Sequence, residues 1–202
     1  MMASLARRWP LIVALAALVG LSGCGINAIP TREEAAKAAW SQVLNQYQRR
    51  NDLIPNLVAT VEAFASHERE TLEALVDARA RATQIAVPES ILTDPEAFRA
   101  FQEAQGEVGA ALSRLIAITE NYPTLTSNQN FLALQSQLEG TENRIAVARR
   151  DYIEAVRDYN TELRTFPGRF WASFLYPDNR PMESFTIEEG VSDVPQVQFN
   201  NR

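Results

Sequence analysis

Apolar residues recur at alternating spacings of three and four positions through most of the chain, which is the period of one face of an α-helix. Four stretches carry this pattern, and it predicts helices over about residues 32–50, 54–85, 94–121 and 127–165. No stretch alternates between apolar and polar residues as a strand does, so we expect an all-α fold. The last stretch is the most regular, with an apolar residue at every seventh position: Phe131, Leu138, Ile145, Tyr152, Tyr159 and Phe166.

The segment Asn51–Pro55 separates the first two stretches and decides how they are joined. Proline lacks a backbone N–H, and its ring strikes the carbonyl four residues earlier, so Pro55 suits the first turn of a helix better than an interior. One unbroken helix over 32–85 would be about 80 Å long, and the helix at 94–121 could cover only half of it. Each large apolar side chain left uncovered would lose ~1.5–3 kcal/mol of burial. The pattern therefore predicts a hairpin at Asn51–Pro55 and an antiparallel up-and-down four-helix bundle.

The first 23 residues have the pattern of an export signal. Arg7 and Arg8 precede Leu11–Leu21, an apolar run too short for the roughly 20 residues of a membrane-spanning helix. The run ends in Leu21-Ser22-Gly23-Cys24, which resembles the lipobox of bacterial lipoproteins. The resemblance implies cleavage between Gly23 and Cys24, and acylation of Cys24 with fatty acids such as palmitate. The alternative is a secreted protein with one unmodified cysteine.

The residue after the lipobox cysteine bears on which membrane receives the protein. Gly25 stands where many lipoproteins of proteobacteria that stay in the inner membrane have an aspartate. We therefore expect the outer membrane rather than the inner one, with the protein facing the periplasm or the exterior. Residues 24–31 form a spacer between the lipid and the first predicted helix.

Composition describes one globular domain without a nucleic-acid surface. The chain is 46% hydrophobic and 22% charged, so a single bundle over residues 32–176 accounts for it, followed by a loose acidic tail over 177–202. After removal of residues 1–23, 17 basic and 25 acidic residues remain, a net charge of −8. An acidic chain without a clustered basic stripe does not favour nucleic acid as a partner.

Short motifs occur along the whole mature chain in a fixed order: Trp40-Ser41-Gln42, Arg49–Val58, Ala65–Leu72, Gly109–Leu115, Glu120–Leu125, Asn130–Gln135, Glu142–Ala146, Ala148–Arg150, Val156–Asn160, Phe166-Pro167, Glu188–Gly190 and Val194–Phe199. With these motifs the chain resembles the LemA family of bacterial envelope proteins. The resemblance implies a membrane-anchored helical bundle, but no established reaction. Some members are encoded near a membrane zinc peptidase or take part in magnetosome formation. Many begin with a transmembrane helix, where this chain has a lipobox.

The residues that carry most enzyme chemistry are scarce. His67 is the single histidine and Cys24 the single cysteine, so there is no Glu-x-x-His pair for a di-metal site and no Cys-x-x-Cys. A glycine-rich phosphate loop is also missing. We therefore expect no cofactor, no metal, no small-molecule substrate and no catalytic activity, with His67 as a partly solvated surface residue.

Two charged residues, Arg50 and Glu68, fall on the apolar seam. Because a buried charge is costly unless it is paired, we expect inter-helix ion pairs with polar and charged residues of the last helix, for which the candidates are Glu142, Asn143, Arg144, Arg149 and Asp158. The alternative is a recognition patch.

Two surfaces are candidates for binding. In the predicted bundle both turns close at the end farthest from Cys24, which would gather a partner-binding face from residues on several elements; turn-stabilising hydrogen bonds explain such residues equally well. At the opposite end, aromatic residues cluster in Phe166–Tyr176, where they would cap the bundle or contact the interface between lipid and water. The partner-binding candidates are Arg49, Asp52, Asn56, Asn121 and Tyr122, and the membrane-contact candidates are Phe170, Trp171 and Phe174.

Together these features predict a lipid-anchored, non-catalytic scaffold or adaptor that binds other envelope proteins. The alternative is an accessory regulator of an envelope peptidase or of a membrane-remodelling system.

Overall fold

The computed structural model describes residues 25–185, and this part of the chain is helical, without a strand. The prediction of an all-α helical bundle is confirmed. The helices predicted at 94–121 and 127–165 are found within two residues at each end. In chain order the elements are α1 (Ala28–Glu62), α2 (Arg69–Gln84), a 3₁₀ helix (Glu89–Thr93), α3 (Pro95–Thr119), α4 (Pro123–Thr126), α5 (Gln129–Arg164) and α6 (Gly168–Leu175).

Two long antiparallel helices form the frame of the molecule. Helix α1 has 35 residues and α5 has 36, so each is about 50 Å long, and they make the most extensive contact in the fold. Helix α2 pairs with α3, but with only 16 residues it covers only one half of α1. We call the end formed by residues 25–31 and α6 the proximal pole. The end formed by residues 63–68 and 120–128 is the distal pole.

The core has two parts with different chemistry. Near the proximal pole it is aromatic: the Trp40 ring lies 5.6 Å from that of Phe98 and 5.2 Å from that of Tyr152, centroid to centroid. Near the distal pole it is mainly aliphatic, with one aromatic ring. The larger distal residues, each nearly inaccessible to solvent, are Ile54, Leu57, Val61, Leu75, Val108, Leu115, Leu125 and Phe131.

The predicted hairpin at Asn51–Pro55, with helices at 32–50 and 54–85, is wrong. Helix α1 runs through Pro55 to Glu62, and the chain reverses at residues 63–68. The hairpin was predicted because the first half of an unbroken α1 was expected to have no cover from the helix at 94–121 or from outside the helices. That half is in fact covered by Phe98 of α3, by Ile91 and Leu92 of the 3₁₀ helix, and by Met182 and Phe185 from beyond α6.

A contact from α2 explains how α1 accommodates a proline. In a regular helix the amide of residue 55 would donate to the carbonyl of Asn51, and Pro55 has no amide hydrogen. The side-chain Nε of Arg79 takes its place and donates to the Asn51 oxygen at 2.9 Å. The proline ring itself points into solvent. The carbonyl is thus satisfied from a neighbouring helix, and the chain has no need to turn there.

The prediction of a loose tail from residue 177 is wrong for residues 177–185. Asn160 holds the backbone of Met182 at both its N–H and its carbonyl, each at 2.9 Å. The Tyr152 hydroxyl donates to the Glu183 carbonyl at 2.7 Å, and Phe185 is buried beneath the Arg149 guanidinium. Aromatic and aliphatic side chains at 182 and 185 anchor the segment despite its acidic composition.

Several predictions concern residues outside the described range. The signal segment 1–23, the cleavage site at Gly23 and Cys24, and the tail beyond residue 185 all lie there. Within residues 25–185, no helix has the length and apolar character needed to cross a bilayer.

Candidate functional site

The predicted partner-binding face is not assembled at the distal pole. Asp52 and Asn56 lie on the exposed side of α1, and Asp52 is ten residues, about 15 Å, short of the helix end. Its carboxylate accepts from Gln48 one turn earlier, at 2.8 Å. Arg49 is likewise exposed in mid-helix. The predicted face required the hairpin at Asn51–Pro55, so the structure contradicts both the hairpin and the face.

Asn121 and Tyr122 do lie at the distal pole, where they meet the turn between α1 and α2. The Tyr122 hydroxyl donates to Glu68 Oε1 at 2.8 Å, and this hydrogen bond raises the pKa of Tyr122. Glu68 therefore does not form the predicted ion pair with the last helix. Its partner is the phenol of Tyr122 rather than a cation. The contact joins two loops, and His67 beside it is exposed. Between residues 25 and 185, no three His, Cys, Asp or Glu side chains come together as a metal site would require.

Arg50 is the one charged residue buried in the described core, and it forms the predicted inter-helix ion pair. Its Nη1 lies 3.3 Å from Glu142 Oε1 on α5, and its Nη2 donates to the backbone and side-chain oxygens of Gln105 on α3 at 3.0 and 2.7 Å. The guanidinium also covers the ring of Tyr47, 5.0 Å from its centroid. Arg50 therefore joins three helices where the two parts of the core meet.

The proximal pole carries the most unusual surface of the described chain. Helix α6 folds back against the end of α5, and Gly168 permits the approach because a Cβ there would overlap the Glu162 carbonyl oxygen. Three phenylalanines at spacings of four form a stripe along this segment. Phe166, Phe170 and Phe174 are 88%, 54% and 73% exposed. Large apolar side chains left in water at this density mark an interaction surface.

The membrane-contact candidates divide between the two sides of α6. The rings of Phe170 and Phe174 stack at 6.2 Å, nearly parallel, on the outer side. Trp171 lies on the inner side, half-buried against the aromatic core, with its ring edge-on to Phe170 at 5.0 Å. Phe170 and Phe174 are therefore available to a membrane, and Trp171 packs between this surface and the aromatic core.

The beginning of the described chain lies directly beside this stripe. Gly25 has a positive φ of 99°, and a Cβ there would touch Pro167 at 3.4 Å and Trp171 at 3.9 Å. The Tyr176 hydroxyl donates to the Ile26 carbonyl at 3.2 Å. Gly25 therefore lies next to the exposed phenylalanines. Arg164 and Arg169 are exposed in the same region.

An open groove between α3 and α5 is a second surface, which the apolar pattern did not reveal. The volume of this groove is ≈ 710 Å³. One signal in the sequence pointed to it: Gly109, Ser113 and Ala117 follow one another at spacings of four, so one face of α3 has almost no side-chain bulk.

Comparison with known proteins agrees with the sequence motifs. The LemA family model matches residues 39–199. Two magnetosome proteins of Paramagnetospirillum magneticum, MamQ 1 and MamQ 2, are each 27% identical over 187 residues, which is 85% of this chain and 68% of theirs. MamQ of Magnetospirillum gryphiswaldense is 29% identical over 162 residues, 72% of this chain and 60% of its own. Since the family model covers most of the chain, this protein belongs to the LemA family.

Proposed function

We propose that this protein is a lipid-anchored, non-catalytic scaffold of the bacterial cell envelope, attached to the membrane through its proximal pole. The observation that carries the proposal is the stripe of Phe166, Phe170 and Phe174, exposed beside Gly25. An acyl chain on Cys24 would enter the bilayer one residue from this contact. The two apolar groups then lie on the same end of the bundle and face the same surface.

The lipid and the stripe act together on membrane affinity. A single acyl chain gives only reversible attachment, and stable anchoring takes a second chain or a second signal. A partly inserted phenylalanine ring adds on the order of 1 kcal/mol, so two rings strengthen membrane partitioning by about 30-fold. The exposed Arg164 and Arg169 favour anionic headgroups. The long axis of the bundle then carries the distal pole away from the membrane.

Binding to vesicles tests the stripe independently of the lipid. The chain from Gly25 to Arg202 keeps every residue of the described fold and lacks Cys24. We expect it to sediment with anionic vesicles, and Phe170→Ser/Phe174→Ser to partition about 30-fold more weakly. The matched control is Val76→Ser/Leu132→Ser, because these side chains are 45% and 49% exposed away from α6. Equal binding of both double variants would contradict membrane contact by α6.

The proposal places the protein in the outer membrane and gives it no reaction of its own. Separation of the two membranes tests the first part: recovery only with the inner membrane would contradict it. His67→Ala tests the second, since His67 is the only imidazole of the chain. If cells that carry this variant at a normal protein level behave like cells that lack the protein, a non-catalytic role is contradicted.

A second candidate is an accessory role in membrane remodelling or in the regulation of an envelope peptidase. The names of the curated relatives favour it, because they assign those proteins to the magnetosome. Crosslinking in intact cells, followed by identification of the captured proteins, separates the two. Structural envelope proteins support the scaffold, and enrichment of a peptidase or a remodelling enzyme supports the accessory role.

A further inference from the structure

The seam between α3 and α5 is closed along only part of its length. These helices lack the close backbone approach that joins α1 to α5 and α2 to α3. In the proximal half, Met182 and Phe185 fill the space between them. In the distal half the seam stays open as the groove of ≈ 710 Å³. Its lining residues are Gly109, Leu112, Ser113, Ile116, Ala117, Glu120, Gln135, Leu138, Glu139, Glu142 and Asn143.

The shape of the groove suits a helix. The α3 wall from Gly109 to Glu120 is about 16 Å long, which matches three helical turns. Its small residues at 109, 113 and 117 allow another backbone to come close. Leu112 and Leu138 form an apolar floor, and Ile116 is half-exposed above it. Amphipathic helices bind in grooves of this kind, with their apolar face against the apolar floor.

The charge of the groove is one-sided. Glu120, Glu139 and Glu142 line it, and no lysine or arginine does. Arg50 reaches Glu142 from the core side, with its guanidinium almost wholly buried, while the Glu142 side chain remains 44% exposed. The other two glutamates receive no cation in the described structure. The rim therefore presents net negative charge around an apolar floor.

We propose that this groove binds a basic amphipathic helix of a partner protein. The apolar face of that helix lies on Leu112, Ile116 and Leu138, and its lysines or arginines pair with Glu120 and Glu139. The inference rests on the proposed scaffold role and names the chemistry of what is held. The chain's own residues 186–202 are an unfavourable occupant, because Glu188, Glu189 and Asp193 repeat the charge of the rim.

Photo-crosslinking tests the proposal with the full chain in detergent micelles. A benzophenone amino acid is placed at Ser113 or Ala117, both exposed in the groove, or at Glu103, exposed on α3 outside it. The probe is a biotinylated helical peptide with leucines on one face and lysines on the other. We expect crosslinks from positions 113 and 117 but not from 103, and none to the same peptide with glutamates replacing its lysines.

Charge variants supply the matched control. Glu120→Lys/Glu139→Lys should lower the crosslinking yield by about tenfold, and Glu103→Lys/Glu154→Lys, with the same change in net charge, should leave it unchanged. Equal loss in both variants, or equal crosslinking by the acidic peptide, would overturn the proposal. So would crosslinking that appears only after deletion of residues 186–202, since the chain's own tail would then be the occupant. Vesicle binding is measured separately, so failure here leaves the membrane proposal standing.

Discussion

At the scale of single residues, glycines on helices distinguish open surface from close contact. A Cβ at Gly109 would lie 3.9 Å from Arg50 Nη1, an ordinary contact, and one at Gly106 would meet nothing within 4 Å. Alanine should therefore stabilise α3 by about 0.5–1 kcal/mol at either position, through helix propensity alone. Gly168→Ala should destabilise the protein, because its Cβ would overlap the Glu162 carbonyl. Urea unfolding of the three variants checks this, and a stable Gly168→Ala would contradict the packing of α6.

Buried tyrosines give the stability a definite pH dependence. Burial is the main cause that raises the pKa of Tyr47, Tyr152 and Tyr159 above the ordinary value of 10. Their contribution is fully present below about pH 10, where the phenols are neutral in both the folded and the unfolded chain, and it is lost as the pH rises toward the folded-state pKa values. Urea unfolding at rising pH should therefore show falling stability above about pH 10. Tyr152→Phe should reduce that slope, and an unchanged slope would contradict the burial of the phenol.

At the scale of elements, the continuity of α1 depends on one hydrogen bond from α2. Arg79→Ala removes the donor to the Asn51 carbonyl and should destabilise the protein by about 1.5–3 kcal/mol. In the Pro55→Ala background, residue 55 supplies its own amide to that carbonyl, so Arg79→Ala should cost less by about 1 kcal/mol. Chemical unfolding of the four members of this double-mutant cycle measures the difference. Strict additivity would show that Arg79 does not replace the missing amide.

Helices α1, α3 and α5 show how far local sequence patterns predict this fold. The apolar stripes of α3 and α5 are local signals, and the structure agrees with them. The cap of α3 is a local contact too, because the Asp94 carboxylate accepts from the amides of residues 96 and 97 at 3.1 Å. The path through Pro55 depends on Arg79, 28 positions from the carbonyl it satisfies. Part of the cover of the first half of α1 comes from residues 182 and 185. Such long-range contacts leave no periodic signature.

The candidate sites also divide into features with a signal in the local sequence and features without one. An ion pair between Arg50 and the last helix was predictable, because a charge on an apolar seam needs a partner; the structure shows that Glu142 is that partner. The exposed phenylalanines were predictable as an aromatic cluster, but not the inward position of Trp171. The groove was not predicted from the apolar pattern, because it exists only where α3 and α5 separate. The small residues at 109, 113 and 117 were its one signal in the sequence.

At the scale of the whole molecule, the bundle has two unlike ends. The proximal pole carries exposed phenylalanines beside Gly25, and the distal pole is closed by polar contacts such as that of Tyr122 with Glu68. The long helices separate these ends by about 50 Å. Attached to the membrane through its proximal pole, as we propose, the molecule would hold its groove away from the lipid, where a partner could reach it.

Spin labels at the two poles test this orientation most directly. The chain from Cys24, acylated as we propose and reconstituted in vesicles, is labelled at position 174 or at Ser66, an exposed residue of the distal turn. Attachment through the proximal pole predicts that the label at 174 is relaxed more strongly by oxygen, which concentrates in the bilayer, and the label at 66 more strongly by a water-soluble nickel complex. Equal exposure of both labels to the aqueous reagent would contradict attachment through the proximal pole.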